Sequence, residues 1–385
     1  SSTSEAEVTV SASGYNDFKA KIAANDSKSV DIKNNLAIVP AGKIYFLSKL
    51  SGKIDVVKTN LDGSDRQTVL AGTGNEDDYN TVLLASRDWK YLLLQAKRDA
   101  KKDYNALYII DTQNNDKLIT ADEGNASFNL AGWSGHDFAY LVTRQSITER
   151  QSKRQAIKIY HADTGQLATL DETRAESHFD NYVYERFDDV NLLSSKVIYT
   201  HSWITTASDD RYSKDKQSGI AVIDFNGSNK KDLKTLPALT NFWSVIVYKP
   251  DEIYFNFYAN SQEYYVQLED STIKDMSLDE ARDKFNKAYP TYLLSPSGKS
   301  TFWSDERDGK DLFLIGDDKG DNGKEITRLE DYGTYGWYTD NYVLLSKKGS
   351  ELYIMGRDGG EPIKITDYHK PAYNYRGYGG GYGGL

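Results

Sequence analysis

The feature that most constrains this 385-residue chain is a strand–turn unit that recurs along nearly all of it. Near the C-terminus, Tyr342-Val343-Leu344-Leu345-Ser346 reads as a strand and Lys347-Lys348-Gly349-Ser350 as a turn. Glu351-Leu352-Tyr353-Ile354-Met355 is a second strand, Arg357-Asp358-Gly359-Gly360 turns again, and Pro362-Ile363-Lys364-Ile365-Thr366 is a third. The Asp-Gly pair supplies the positive φ that tight hairpins need. The same order appears at the other end, where Lys43 to Ser48 leads through Ser51-Gly52 to Ile54-Asp55-Val56-Val57, and Leu61-Asp62-Gly63 turns into Gln67-Thr68-Val69-Leu70. Further copies fall at about 81–122, 126–173, 182–238 and 241–286, followed by one at 295–329.

Each unit, roughly 35–55 residues long, has room for four strands and cannot bury both faces of its sheet alone. Stacking the units radially buries those faces and leaves only short, protected edges. The expected fold is therefore all-β: a single β-propeller of about seven four-stranded blades, with six or eight if one unit is misread. Composition agrees: 29 Tyr against 7 Pro, with turn residues spread evenly, fits a strand-rich chain.

With no cysteine, disulfides, thiolate metal sites and Cys nucleophiles are excluded. A net charge of −10 argues against a broad nucleic-acid footprint, which needs clustered Lys and Arg. No run of about 18 apolar residues exists to span a membrane. The chain opens on Ser1 rather than Met, which raises the expectation of a removed N-terminal leader or anchor.

The run Ser295-Pro296-Ser297-Gly298-Lys299, Phe302-Trp303-Ser304-Asp305-Glu306-Arg307-Asp308-Gly309, Leu312-Phe313-Leu314-Ile315 and Ile326-Thr327-Arg328-Leu329 resembles the TolB-type, or WD40-like, propeller repeat. The resemblance is close in the first unit and the last two, looser in the middle ones, and covers most of 36–369. Its family includes envelope proteins, oligopeptidase propeller domains and some lyases. It therefore implies a fold and an extracytoplasmic, envelope-associated setting, but no activity.

Three segments lie outside the repeat. Residues 1–35 form an N-terminal segment, with Tyr15, Phe18 and Ile22 at helical spacing predicting a short helix over 13–25. Ser277-Leu278-Asp279-Glu280 is a capping box that predicts a helical insertion running to about Tyr289. Residues 370–385 are a Gly/Tyr-rich, flexible tail.

The chain offers little catalytic chemistry. Gly132-Trp133-Ser134-Gly135-His136 resembles a nucleophile elbow, but His136 stands where a small residue is required, and the motif falls at the end of an innermost strand. The five histidines show no metal-ligand spacing, and the Asp317–Gly323 run lacks the alternating ligands of a Ca²⁺ loop. Carboxylate pairs such as Asp188-Asp189 read as exposed acidic loops. No catalytic residue, metal or cofactor is assigned.

In a four-stranded blade, the loop between strands two and three shares a face with the loop between blades. On that face the third unit inserts a segment from Arg144 through Arg150 to Arg154. The fourth inserts one from Ser202 to Ser218, with Trp203, Asp209, Asp210, Arg211 and Tyr212. The inter-blade loops add Tyr79, Phe179, Tyr182, Phe242, Trp243, Tyr289, Tyr335 and Trp337. Long polar loops on a rigid scaffold concentrate function, and exposed Tyr, Trp and Arg anchor interfaces. The expected function is a non-catalytic module binding a protein or glycan on this face. The rivals are a lyase or glycosidase using carboxylates and Tyr at the channel mouth, and a structural surface protein.

Overall fold

The computed structural model describes residues 5–23, 40–144, 155–173, 184–193, 195–204, 216–236, 241–249, 252–259, 262–269, 272–281, 294–307, 309–318, 320–348 and 351–367. Strands β1 (Glu5–Val10) and β2 (Phe18–Ala23) pair as an antiparallel hairpin. This corrects the helix expected over 13–25. Phe18 and Ile22 are four apart, a spacing that one helical turn and two steps along a strand face have in common. The pairing register decides between them: Val10, Val8 and Ala6 stand opposite Phe18, Ala20 and Ile22, while Glu7 stands opposite Lys21.

Seven antiparallel sheets follow in chain order among the described residues. The first holds β3 (Lys43–Ser48), β4 (Asp55–Asn60) and β5 (Gln67–Leu70). The second holds β6 (Val82–Ala85), β7 (Tyr91–Ala96), β8 (Ala106–Asp111) and β9 (Lys117–Asp122). The third holds β10 (Ala126–Ser134), β11 (Asp137–Arg144), β12 (Gln155–His161) and β13 (Gln166–Glu172). The fourth holds β14 (Tyr184–Leu193), β15 (Lys196–Ile204), β16 (Lys216–Asp224) and β17 (Lys231–Leu236). The fifth holds β18 (Asn241–Lys249), β19 (Glu252–Ala259), β20 (Gln262–Glu269) and β21 (Thr272–Met276). The sixth holds β22 (Ser300–Arg307), β23 (Lys310–Asp317) and β24 (Lys324–Leu329), with Leu294 bridging to Thr301 beside β22. The seventh holds β25 (Tyr332–Thr339), β26 (Tyr342–Lys347), β27 (Glu351–Gly356) and β28 (Ile363–Asp367).

Within every sheet the strands are hydrogen-bonded in sequence order, so five sheets are complete four-stranded meanders. Residues 278–281 are helical, and the capping box forms: the Ser277 N–H donates to Glu280 Oε2 at 2.9 Å, and the Glu280 N–H to Ser277 Oγ at 3.3 Å.

The middle strands β7, β11 and β26 are apolar on both faces because each lies between two neighbouring sheets. In β7, Leu92 and Leu94 pack into a cluster shared with the first sheet, while Leu93 joins one shared with the third. In β11, Phe138, Tyr140 and Val142 face the second sheet, and Ala139 and Leu141 face the fourth. In β26, Val343 and Leu345 pack with Phe302 and Phe313 of the sixth sheet, and Leu344 packs with the first. Last strands such as β5, β9 and β24 are the exposed outer edges.

Polar pins cross these apolar contacts. The Tyr140 hydroxyl donates to Asp122 Oδ2 at 2.7 Å, and Lys158, opposite Tyr140 in the ladder, reaches the same oxygen at 2.7 Å. One sheet on, Tyr199 and Lys230 converge on Asp171 Oδ2, each at 2.7 Å. Burial and the facing carboxylates push both phenols well above the ordinary tyrosine value.

The first and last sheets meet through the same device that joins the last two. Gly63, in the turn between β4 and β5, the last two strands of the first sheet, has φ +79° and lies so close to the Ile365 carbonyl on β28 that a Cβ would come within 2.1 Å of its oxygen. Gly359, in the equivalent turn of the seventh sheet, has φ +94° and approaches the Ile326 carbonyl on β24 in the same way, at 2.3 Å. Arg66 donates to Thr366 Oγ1 at 2.6 Å, and Tyr338 donates to the Lys43 carbonyl at 3.1 Å. Gly52, φ +84°, lies in the first sheet with nothing within 4 Å.

Gly63→Ala is therefore expected to destabilise the protein by about 1–3 kcal/mol more than Gly52→Ala in chemical denaturation. Both share the left-handed backbone penalty, so equal losses would mean that the first and last sheets do not touch. Tyr140→Phe, which leaves Asp122 one donor short, is expected to cost about 1–3 kcal/mol by the same measurement.

Candidate functional site

Antiparallel order sends the connections of each sheet alternately to two ends. One end carries tight turns: first-to-second-strand turns such as 86–90 and 135–136, and turns between the last two strands such as 61–66, 112–116 and 162–165. The other carries the connections between sheets and those between second and third strands, including 145–154 and 205–215. The exits of these two long segments adjoin. Gln155, which follows the first, grips β14 with its side-chain amide: Nε2 donates to the Phe187 carbonyl at 3.0 Å, and Oε1 accepts from the Phe187 N–H at 2.8 Å. Phe187 stands opposite His201, three residues before β15 ends at Ile204.

Five of the residues expected to line this end have described side chains. Tyr79 sits in the connection between the first two sheets and is 59% exposed. The connection is held rigid beneath it: the buried Glu76 carboxylate accepts from the Thr73 and Gly74 N–H groups and from Arg98 at 2.9 Å. Arg144 is the exposed last residue of β11. Trp203 is half-buried near the end of β15, stacked on His201 with ring centroids 4.6 Å apart. Tyr335 is partly buried against the cluster of the first and last sheets. Trp337 is a correction. It is fully buried, edge-to-face on Phe302 at 6.1 Å, because alternation along β25 turns it between the sixth and seventh sheets. Phe242 and Trp243 lie on β18, and their side chains are outside the described set. Arg150, Phe179, Tyr182, Asp209, Asp210, Arg211, Tyr212 and Tyr289 lie outside the described residues.

Hydropathy reading missed Leu50, which is 74% exposed. It follows Lys49, whose ammonium pairs with Asp78 next to Tyr79, so the two exposed apolar side chains flank one ion pair. It also missed His201. Its Nε2 lies 3.2 Å from Asp232 and its Nδ1 3.8 Å from Glu185, although the ring is only 7% exposed.

The tight-turn end explains the Gly-Trp-Ser-Gly-His motif. Ser134 closes β10, Gly135 takes φ +59°, and Asp137 opens β11, so the motif is a two-residue hairpin. Trp133 is buried and donates Nε1–H to the Leu84 carbonyl at 3.1 Å. His136 is caged: Nδ1 lies 2.9 Å from both Asp163 oxygens and Nε2 2.9 Å from Asp88 Oδ2. Tyr91 packs edge-on against the ring at 5.1 Å and donates to Asp163 at 3.1 Å. Burial opposes the charged imidazole, but the two aspartates outweigh it and raise the His136 pKa. Burial likewise opposes the Asp88 carboxylate, yet His136, the Lys90 N–H and the Ser86 hydroxyl hold it down at about 2. Nearby, Arg87 donates to the Ser295 carbonyl at 2.9 Å and Trp89 packs on Tyr338 at 5.6 Å, tying the second sheet to the sixth and seventh at this end. Among the described residues, no group of three or more His, Cys, Asp or Glu is placed to hold a metal.

The chain matches no protein-family model and no curated protein. Among solved structures it is similar to prolyl oligopeptidase B from Galerina marginata at 12% identity and TM-score 0.45, over 86% of this chain and 52% of that one. The β-propeller domain of the Trilobed protease from Pyrococcus furiosus is similar at 16% identity and TM-score 0.40, over 74% of this chain and 85% of the domain. TolB from Acinetobacter baumannii is similar at 14% identity and TM-score 0.35, over 73% of this chain and 63% of TolB. The chain thus spans about half the length of the oligopeptidase.

The cage makes stability depend on pH with a defined sign. A histidine whose folded pKa is raised stabilises fully below its ordinary value of 6.5 and loses that contribution as pH climbs through the folded pKa. An aspartate lowered to about 2 stabilises fully above 3.8 and loses its contribution as pH falls toward 2. The melting-temperature gap between wild type and His136→Gln is therefore expected to be widest between these ordinary values and to narrow toward pH 9. A gap that widens as pH rises above 6.5 would refute the cage.

Proposed function

We propose that the seven sheets close into one β-propeller acting as a binding module. On this reading a protein or glycan partner docks at the loop-bearing end, in an extracytoplasmic, envelope-associated setting. The setting rests on the repeat's resemblance to TolB-type propellers. Closure is supported by the repeated Gly63 and Gly359 contacts, which relate the first sheet to the seventh as the seventh is related to the sixth. Among the described residues, no helix is long and apolar enough to cross a membrane.

One observation carries the functional reading. Segments 145–154 and 205–215 leave neighbouring sheets at the same end, where Gln155 locks one exit to the strand beside the other. Two long polar segments that are remote in sequence thereby share one rim, backed by a rigid β scaffold. The exposed Leu50 and Tyr79 sit at that end as well, and the opposite end is made of tight turns stitched by Asp and His side chains.

Replacing 145–154 and 205–215 with short turns is expected to leave the melting temperature nearly unchanged and to abolish capture of the partner from an envelope fraction. Substitution of His136 at the opposite end is expected to leave capture intact. Capture that survives both replacements removes the loop-bearing end as the binding surface.

A further inference from the structure

The chain holds two Asn-Gly pairs, Asn226-Gly227 and Asn322-Gly323, and each lies in the turn between the last two strands of a sheet, β16–β17 and β23–β24. Asparagine followed by glycine is open to intramolecular chemistry, because no side chain on the second residue keeps its backbone nitrogen from the carboxamide of the first. The two turns share a frame. The Gly227 N–H donates to the Asp224 carbonyl at 2.9 Å, and the Gly320 N–H to the Asp317 carbonyl at 3.1 Å. The Asp224 N–H donates to the Ser228 carbonyl at 3.1 Å, and the Asp317 N–H to the Asp321 carbonyl at 3.0 Å. Within that frame the pairs stand at different places: Asn226 at the tip, just before Gly227, and Asn322 at the exit, just after Asp321.

At the exit the pair is locked. Asn322 Nδ2 donates to Asp317 Oδ2 at 2.8 Å, which holds the carboxamide back toward the start of the turn. Gly323 lies against Trp303: a Cβ there would come 2.5 Å from the indole, so the backbone on which a ring would have to close is hemmed in. At the tip the pair is open. Asn226, Gly227 and Ser228 are exposed, and a Cβ on Gly227 would meet nothing within 4 Å. Asn226 Oδ1 accepts from the Ser228 N–H at 2.9 Å and from the Ser228 hydroxyl at 2.6 Å, while Nδ2 has no hydrogen-bond partner among the described residues. Two donors on a carboxamide oxygen draw electrons from its carbon. They also steady the negative charge that an attacking nucleophile pushes onto that oxygen, as an oxyanion hole does. The unpartnered nitrogen is the group that would leave.

We propose that Asn226 is a site of spontaneous deamidation and that the fold spares Asn322. The Gly227 N–H bond to the Asp224 carbonyl opens, and solvent hydroxide takes the amide proton. The Gly227 nitrogen then attacks Asn226 Cγ. A new N–C bond forms, the Cγ–Nδ2 bond breaks, and Nδ2 takes a proton from water and departs as ammonia, which regenerates the hydroxide. The resulting succinimide ring is opened by water at either carbonyl, giving aspartate or isoaspartate, and nothing is oxidised or reduced. Either product places a negative charge beside Asp224, and isoaspartate also adds a methylene to the main chain at the tip of the turn. Asn226 is exposed and lies at the tight-turn end, so the altered protein keeps its fold and its loop-bearing rim.

The test is ageing of the purified whole chain at neutral pH and physiological temperature, once folded and once in denaturant. Peptide mapping by mass spectrometry locates the altered residue, and methyl transfer by an isoaspartyl methyltransferase counts isoaspartate. In denaturant the two pairs are expected to react at similar rates. In the folded protein Asn226 is expected to react about tenfold or more faster than Asn322, the factor that one hydrogen bond on the carboxamide is worth. Asn226→Gln, whose longer side chain closes a ring far more slowly, is expected to remove most of the methyl-accepting capacity of the aged protein and to leave its melting temperature unchanged. Equal rates at the two pairs in the folded protein, or Asn322 ahead, overturn the proposal. A rate difference of the same size in denaturant overturns it too, since local sequence and not the fold then makes the choice. So does an Asn226 that stays intact in the folded protein over the time in which it reacts in denaturant, because the Gly227–Asp224 hydrogen bond then guards the tip.

Discussion

The structure depends on middle strands that are apolar on both sides, as β7, β11 and β26 are. A single four-stranded meander cannot hide two such faces, so every sheet requires a neighbour on each flank. The described clusters link the sixth sheet to the seventh, the seventh to the first and second, the second to the third and the third to the fourth. At the junction of first and last, the Arg66–Thr366 hydrogen bond and the Gly63–Ile365 approach join residues about 300 positions apart in the chain. That junction gives the first and last sheets a shared contact.

Polar groups between the sheets divide into two kinds. Tyr140 with Asp122, and Tyr199 with Asp171, are fully served: each carboxylate has a phenol and an ammonium within hydrogen-bond distance. These pins set how one sheet sits on the next without leaving a buried charge alone. The second kind lies on the fourth sheet, where the Thr200, Ser202 and Ser218 hydroxyls are buried without a hydrogen-bond partner among the described residues. Thr200 stands where the third sheet has Leu141, and the Ser202–Ser218 pair stands where the third sheet has Thr143 and Gln155, whose side chains hydrogen-bond to each other at 3.0 Å.

The sheet units were legible in the sequence because double-sided burial writes near-continuous apolar runs such as Tyr91 to Leu94, punctuated by Asp-Gly turns. The reading of 81–122 and 126–173 agrees with strands that span 82–122 and 126–172. The N-terminal hairpin was not legible, since Phe18 and Ile22 fit two periodicities and only pairing with β1 distinguishes them. Side-chain direction was lost for Trp337 because Gly333 and Gly336 leave few apolar neighbours on β25 from which to read alternation, and the ladder there is bulged. The His136 cage was invisible for a different reason. Its aspartates come from turns 48 and 27 residues away, and no local spacing records that those turns converge. Leu50 escaped because a lone leucine in a turn looks like any other, until the Lys49–Asp78 pair places it beside Tyr79.

The contact between the first sheet and the last also bears on how the chain is made. Lys43 to Ser48 leave the ribosome some 300 residues before the strand that covers one of their faces. Until Leu344, Leu352 and Ile354 arrive, that flank is a bare apolar sheet, and closing so long a span is entropically slow. Nascent chains of this protein therefore spend most of their synthesis with a sticky leading edge, the condition under which chaperone escort separates productive folding from aggregation.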